Sequence, residues 1–445
     1  MLSILANRTY RHLFAAQVIA LIGTGLMTVA LGLLAFEIAG DRAGAVLGTA
    51  LAIKMIAYVS IAPVAGNLAG HVPRRSFLVT MDLIRASVAV ALPFVTQVWQ
   101  IYLLIFLLQA ASAGFTPTFQ ATIPDVLPDE ADYTRALSLS RLAYDLENLL
   151  SPALAAALLM VISFNVLFVG TVIGFLCSAL LVVSVHLPFA TATAAAGQSF
   201  YEKTTRGIRI YLATPRLRGL LALNLSVAAA GAMVIVNTVV LVRGPLGRLD
   251  SDVALLLACF GGGSMLAALL LPYMLDRLPD RPVMISAAGL LTTLLVILGI
   301  ILRSTAFDLT WPLLLGLWVL VGIGYSAVQT PTGRLLRRSA HTSDRPAVFA
   351  AQFALSHACW LLTYPLAGWL GEAAGLSFTA LVLAVVTLVG VAGALLMWPA
   401  EDPEVIEHDH PDLAPDDPHL ADAFRNRHAH AFVIDDLHAR WPNDA

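Results

Sequence analysis

NRTYRHLFAAQ, residues 7–17, has a counterpart 207 positions downstream in TPRLRGLLALN, residues 214–224. Arg11 aligns with Arg218, Leu13 with Leu220, Ala15 with Ala222 and Gln17 with Asn224. A second pair stands at almost the same offset, 206: LAGHVPRR (68–75) with MLDRLPDR (274–281), matching Pro73 to Pro279 and Arg75 to Arg281. Two similar offsets at two places exceed the chance likeness of apolar helices. They indicate two tandem halves built alike, which places a ligand site at the interface between the halves.

Composition says where those halves reside. Of 445 residues, 58% are hydrophobic and only 12% are charged, about half the charge of a soluble protein. Mean hydropathy is +0.81. A soluble enzyme, a disordered chain and a nucleic-acid binder are all excluded. With a spanning helix needing about 20 apolar residues, twelve spans are expected. They fall near 12–38, 44–70, 76–97, 99–119, 135–162, 166–186, 218–242, 252–273, 282–302, 310–330, 346–371 and 376–398. The expected fold class is an all-α membrane protein of two six-helix bundles.

Charge in the connections orients the chain. With both termini in the cytoplasm, sixteen Lys and Arg fall on the cytoplasmic side, and only Arg42, Arg243, Arg248 and Arg303 fall outside. The positive-inside rule favours that arrangement. The long connection at 187–217 opens with small residues and continues as SFYEKTTRGIRIYLATPRLRG. Phe200, Ile208 and Tyr211 recur at helical spacing, with Lys203, Arg206 and Arg209 between them. This reads as a flexible linker followed by an amphipathic helix lying on the cytoplasmic surface. The expected organisation is an N-terminal bundle (1–186), a cytoplasmic linker (187–217), a C-terminal bundle (218–398) and a tail (399–445).

The loop after the second span reads Gly66-Asn67-Leu68-Ala69-Gly70-His71-Val72-Pro73-Arg74-Arg75. It resembles the G-x-L-A-D-R-x-G-R-R signature of the major facilitator superfamily, keeping the glycine, the Leu-Ala pair and both terminal arginines. Gly70, His71 and Pro73 depart from the pattern. The second copy retains an acid and a base as Asp276-Arg277 and ends in Arg281. The resemblance covers about residues 5–398. Within the superfamily, FTPTFQATIPDVLPDEADYTRALSLSRL (115–142) resembles the drug:proton antiporter branch that exports macrolides and siderophores. A related subgroup exports nickel and ends in a His-rich tail, and this chain resembles it most. Ser151-Pro152-Ala153 and Tyr364-Pro365-Leu366-Ala367-Gly368 resemble the branch's proline-containing antiporter motif.

A charge at the bilayer centre costs about 2.5–3.5 kcal/mol on insertion scales, so each needs a reason. Asp82 and Arg85 stand i,i+3, and Arg141 and Asp145 stand i,i+4, so each pair can close locally. They are expected to form structural ion pairs. Glu147 is turned about 200° from Asp145 on a helix and lacks a basic neighbour one turn away. Glu147 is the better titrating carboxylate, with Asp145 beside it as a candidate. Lys54 on span two and His357 on span eleven lie near mid-depth. The resemblance implies that these two spans meet between the bundles. Lys54 and His357 are therefore further candidates for proton coupling or substrate contact.

The average net charge of −3 hides a split. Residues 401–445 carry −9 and the other 400 carry +6. Six of the eleven histidines lie in the tail: His408, His410, His419, His428, His430 and His438. Imidazole with carboxylate suits nickel, cobalt, zinc or copper(II). The tail is expected to be a loose chelating arm that binds metal transiently, with no resident cofactor. Val433, Leu437 and Trp441 recur every four residues and predict a short docking helix.

The functional expectation is a secondary transporter, not an enzyme. No phosphate-binding GxxxxGK[ST] loop is present. It would sit in a bacterial inner membrane as a monomer, exchanging protons for its substrate. Nickel- or cobalt-class ions or their chelates lead as cargo. Hydrophobic drugs, macrolides or siderophores are the alternative.

Overall fold

The structure, a computed structural model, describes residues 2–442 except 70–71, 130–131, 133–135, 137–138, 141–142, 144–150, 152, 188–199, 276, 304–309, 342–343, 404, 410–426, 436 and 439. Among the described residues nine helical stretches are long and apolar enough to cross a membrane. Two of them, Arg8–Tyr58 and Ala347–Met397, run for 51 residues each and double back once. Part of the fifth expected span lies outside the described residues, and helix is present at 153–159.

The first half contains α1 (Arg8–Ala39), α2 (Ala43–Ala69), α3 (Arg74–Ala91), α4 (Val98–Val126) and α5 (Phe164–Val183). A surface helix, α6 (Phe200–Ala213), follows. The second half contains α7 (Pro215–Arg243), α8 (Asp250–Leu275), α9 (Asp280–Ile301), α10 (Thr310–Gln329), a short α11 (Thr332–Arg338) and α12 (Arg345–Met397). Strands β1 (Val405–Asp409) and β2 (Arg427–Ala431) pair antiparallel in the tail.

Local chemistry sets the ends of these helices. Asn7 caps α1 by accepting the Tyr10 amide at 3.0 Å, an ordinary Asn N-cap. Proline opens α7 at its first turn, where its missing N–H costs nothing. The two reversals turn on glycines at positive φ, Gly40 at 55° and Gly375 at 79°. Side chains rarely adopt that region.

Small residues let the helices touch. Thr171 of α5 donates to Gly23 O of α1 at 2.7 Å, and a Cβ on Gly174 would stand 3.0 Å from Ile19 O. A Cβ on Gly263 of α8 would strike Val319 O of α10. Such contacts replace the hydrophobic drive that is lost between helices in lipid.

The arginine-bearing ends of the two halves repeat one device. Arg75 donates to Val183 O at the end of α5. Its repeat partner Arg281 donates to Trp398 O just past α12, at 2.9 Å. Each guanidinium thus satisfies a helix C-terminal carbonyl and faces its negative dipole end. Arg74 pairs with Asp125, and Arg334 pairs with Asp280. Asp276 lies outside the described residues and Arg277 is exposed. Among the described residues of the second loop, the engaged acid is Asp280. Gly66 lies within α2, just before the signature loop turns.

Asp82 and Arg85 form the one intrahelical pair that can be followed. Arg141 and Asp145 lie outside the described residues, as does Glu147. Asp82 is fully buried, accepts from Arg85 and also accepts from Ser178 of α5 at 2.7 Å. The Arg85 guanidinium sits 4.1 Å over Phe115 and 4.6 Å over Phe175. The pair therefore ties α3, α4 and α5 together.

Arg85→Met should lower the unfolding temperature in detergent sharply, because removing one partner of a buried pair costs about 3–5 kcal/mol. Replacing both residues, Asp82→Leu with Arg85→Met, should recover most of that loss. A double variant no more stable than the single one would refute the pairing role.

Candidate functional site

The two halves meet through α2 and the first leg of α12. Near the Arg42 end the contact is backbone to backbone. A Cβ on Gly48 would lie 2.5 Å from Tyr364 O, and one on Gly368 would strike Gly44 O. Asn237 of α7 donates to Ala367 O at 3.1 Å, Trp369 donates to Thr49 at 3.0 Å, and Arg42 pairs with Glu372 at 2.7 Å. This end is closed.

Lys54 and His357 lie further along the same two helices. His357 Nδ1 lies 2.7 Å from Phe353 O, one turn back. The Tyr58 ring of α2 lies 6.3 Å from His357 and 6.5 Å from Phe353. Spans two and eleven meet here, with Tyr58 against His357. The role of Lys54 and His357 in proton coupling is a separate matter.

Aromatic side chains extend the surface in a way the sequence reading missed. Phe353, His357, Trp360 and Tyr364 follow one another at helical spacing on α12. Ring centroids are 3.9 Å apart for Phe353 and His357, and 4.9 Å apart for Trp360 and Tyr364. Tyr325 of α10 stands 6.4 Å from Trp360 and 5.3 Å from Phe260 of α8. Phe353 is half exposed. The i,i+4,i+7,i+11 spacing was the available signal. Several polar residues of α1 and α7 serve packing. Gln17 accepts from Ser140, Asn224 bonds within its own helix, and Asn237 holds α12.

Two readings of the arginine-rich end need correction. Helix α6, expected to lie on the cytoplasmic surface, docks on the second half. Arg206 binds Asp344 through two nitrogens at 2.6 and 3.1 Å. Tyr211 is buried and donates to Gln352, and Gly207 lies against Ala347 O. The tail is the second. Among the described residues of 428–442 the expected helix does not appear; His428, His430 and Phe432 follow period two, which suits a strand. Residues 427–431 pair with 405–409, and His408 faces His428 across the ladder.

The described part of the tail is not a loose arm either. Phe432 and Ile434 are buried and pack against the main core. Asp402 pairs with Arg338 at 3.0 Å and lies 3.6 Å from Arg216. Trp441 lies 5.1 Å from the Arg216 guanidinium. A cleft of about 440 Å³ remains between tail and body, lined by Arg216, Arg337, Arg338 and Arg345 among others. His408, His430 and His438 converge, with one nitrogen from each within 4.8 Å of the others. His410 and His419 lie outside the described residues.

Comparison with known proteins agrees with this architecture. The profile described as Major Facilitator Superfamily matches residues 13–247 and 220–434. Macrolide efflux protein A of Streptococcus pyogenes is 25% identical over 181 residues, covering 40% of this chain and 44% of the relative. The chain thus spans under half the length of that relative. The multidrug efflux pump Tap of Mycolicibacterium fortuitum is 25% identical over 369 residues, covering 78% and 88% of the two chains. An inward-facing, unoccupied bacterial homologue of the human lysosomal transporter Spinster superposes with a TM-score of 0.68 at 15% identity, covering 87% and 96%. A bacterial metal transporter does so at 0.62 and 13%, covering 88% and 98%. At these identities the superpositions speak to fold alone. With the profile matching nearly the whole chain, this multi-pass membrane protein belongs to the major facilitator superfamily of transporters.

Proposed function

We propose that the protein exports bulky hydrophobic compounds, of the macrolide or multidrug class, in exchange for protons. The observation that carries this reading is the aromatic column of Phe353, His357, Trp360 and Tyr364 facing Tyr58 and Tyr325. Aromatic faces bind large apolar solutes through area and stacking. They offer little to a bare metal ion. The similarity to macrolide and multidrug efflux proteins supports the same cargo.

The halves 1–186 and 218–398 would rock about the α2–α12 contact, as parallel repeats do. Arg42 lies outside under the positive-inside orientation, so closure at its end corresponds to an inward-facing state. The termini are then cytoplasmic, the setting a bacterial plasma membrane, and the working unit a monomer. Lys54 and His357 would exchange the proton, with Glu147 and Asp145 as carboxylate candidates on span five. Nickel or cobalt, the leading cargo on sequence grounds, loses its main support. Among the described tail histidines, His408, His430 and His438 cluster with one another on β1, β2 and the segment after β2.

Everted vesicles given a proton gradient separate the two cargoes. A macrolide and a hydrophobic fluorescent dye should accumulate, and an uncoupler should abolish accumulation. Trp360→Ala should cut uptake about tenfold, the loss expected for ~1.4 kcal/mol of binding. His357→Gln and Lys54→Met should lose gradient-driven accumulation while keeping substrate exchange without a gradient. Uncoupler-sensitive uptake of nickel or cobalt with no uptake of the organic compounds would overturn the proposal.

A further inference from the structure

We propose that His408, His430 and His438 form a binding site for one divalent transition-metal ion of the zinc, cobalt or nickel class, and that the ion fastens the tail to the body of the second half. The three residues come from β1, from β2 and from the segment after β2, so a shared ion cross-links all three. His408 and His438 are buried and His430 is partly so. Their rings do not stack. Centroids are 4.7, 4.9 and 5.1 Å apart with interplanar angles of 82°, 73° and 70°, so the three edges turn toward a common space.

Hydrogen bonding sets which nitrogen is available. Nδ1 of His408 lies 3.0 Å from Ile406 O, Nδ1 of His430 lies 3.0 Å from Ala431 O, and Nδ1 of His438 lies 2.8 Å from Asp435 Oδ1. Carbonyl and carboxylate oxygens only accept, so each Nδ1 carries the proton and a neutral ring keeps its lone pair on Nε2. The Nε2 atoms of His408 and His438 stand 3.1 Å apart. A proton on one of the two nitrogens makes this contact a hydrogen bond, and a cation that displaces the proton is ligated by both. Tetrahedral zinc with Zn–N bonds of about 2.0–2.1 Å places ligand nitrogens roughly 3.3 Å apart. The observed separation is close to that spacing.

The surroundings fit a metal centre. Asp435 holds His438 on one side and lies 3.1 Å from Nε2 of His341 on the other. This is the carboxylate–histidine arrangement that orients metal ligands, and it connects the cluster to the loop after α11. The Phe432 ring lies 4.8 Å from both His408 and His438 and shields one side. Three neutral imidazoles without thiolate select borderline ions and leave one position for water. The inference stands on tail geometry and is independent of the transported cargo.

The full-length protein in detergent, stripped with a chelator, is titrated with cobalt(II) and then zinc(II). One equivalent of cobalt should give the intense visible absorption of a tetrahedral site, and zinc should displace it. Replacing His408, His430 or His438 by Ala should abolish that absorption. Asp435→Asn should weaken affinity by about 10–100-fold, the usual effect of losing an outer-shell partner, and it keeps the ligands intact if an Ala variant folds poorly. Zinc should raise the unfolding temperature of the wild type but not of His438→Ala. The double variant His410→Ala/His419→Ala should still give the cobalt spectrum. An absence of tetrahedral absorption in the wild type, or its loss with His410 and His419 and not with the cluster, would overturn the proposal.

Discussion

The contact between α2 and the first leg of α12 is the constraint on which the rest depends. Gly44, Gly48 and Gly368 bring two backbones together where any side chain would hold them apart. In lipid there is no hydrophobic force to press helices together, so close packing and polar contacts must do it. The glycine contact sets how far the halves stand apart. It thereby sets the spacing of Lys54, Tyr58 and His357 a few turns along the same helices. Asn237, Trp369 and Arg42 add directional bonds around it. The seal is narrow and polar at its rim, which suits an interface that opens and closes.

The halves themselves are held differently. Each has a buried or half-buried charge arrangement of its own at the arginine-rich end, and the repeat partners Arg75 and Arg281 perform one task twice. The task is local: a guanidinium satisfies carbonyls that a helix end leaves unpaired. Asp82 and Arg85 have no counterpart, because the aligned positions in α9 are Ala288 and Leu291. The first half thus carries a polar tie that the second replaces with apolar packing.

Much of the fold was legible because membrane insertion imposes simple rules. Long apolar runs must be helices, and the repeat and the Arg asymmetry follow from reading along the chain. What escaped was chemistry that depends on contacts across sequence. Asp280 was overlooked beside Asp276, although both fall in one short loop and only the fold brings Arg334 to one of them. The tail misled through competing periods. Val433, Leu437 and Trp441 repeat every four, while His428, His430 and Phe432 alternate, and pairing with 405–409 decided for the strand. The meeting of the two helices that carry Lys54 and His357 was foreseen from the resemblance. The aromatic column beside them was not, because aromatic residues on an apolar helix look like ordinary core.

Helix α6 has a consequence for how the chain is put together. It belongs to the second half through Arg206, Gly207 and Tyr211, so the covalent crossing between the halves lies upstream of it, in 184–199. A gene interrupted upstream of α6 would therefore leave Arg206, Gly207 and Tyr211 on the same polypeptide as their partners in the second half, and the two products would meet as a heterodimer across the same glycines.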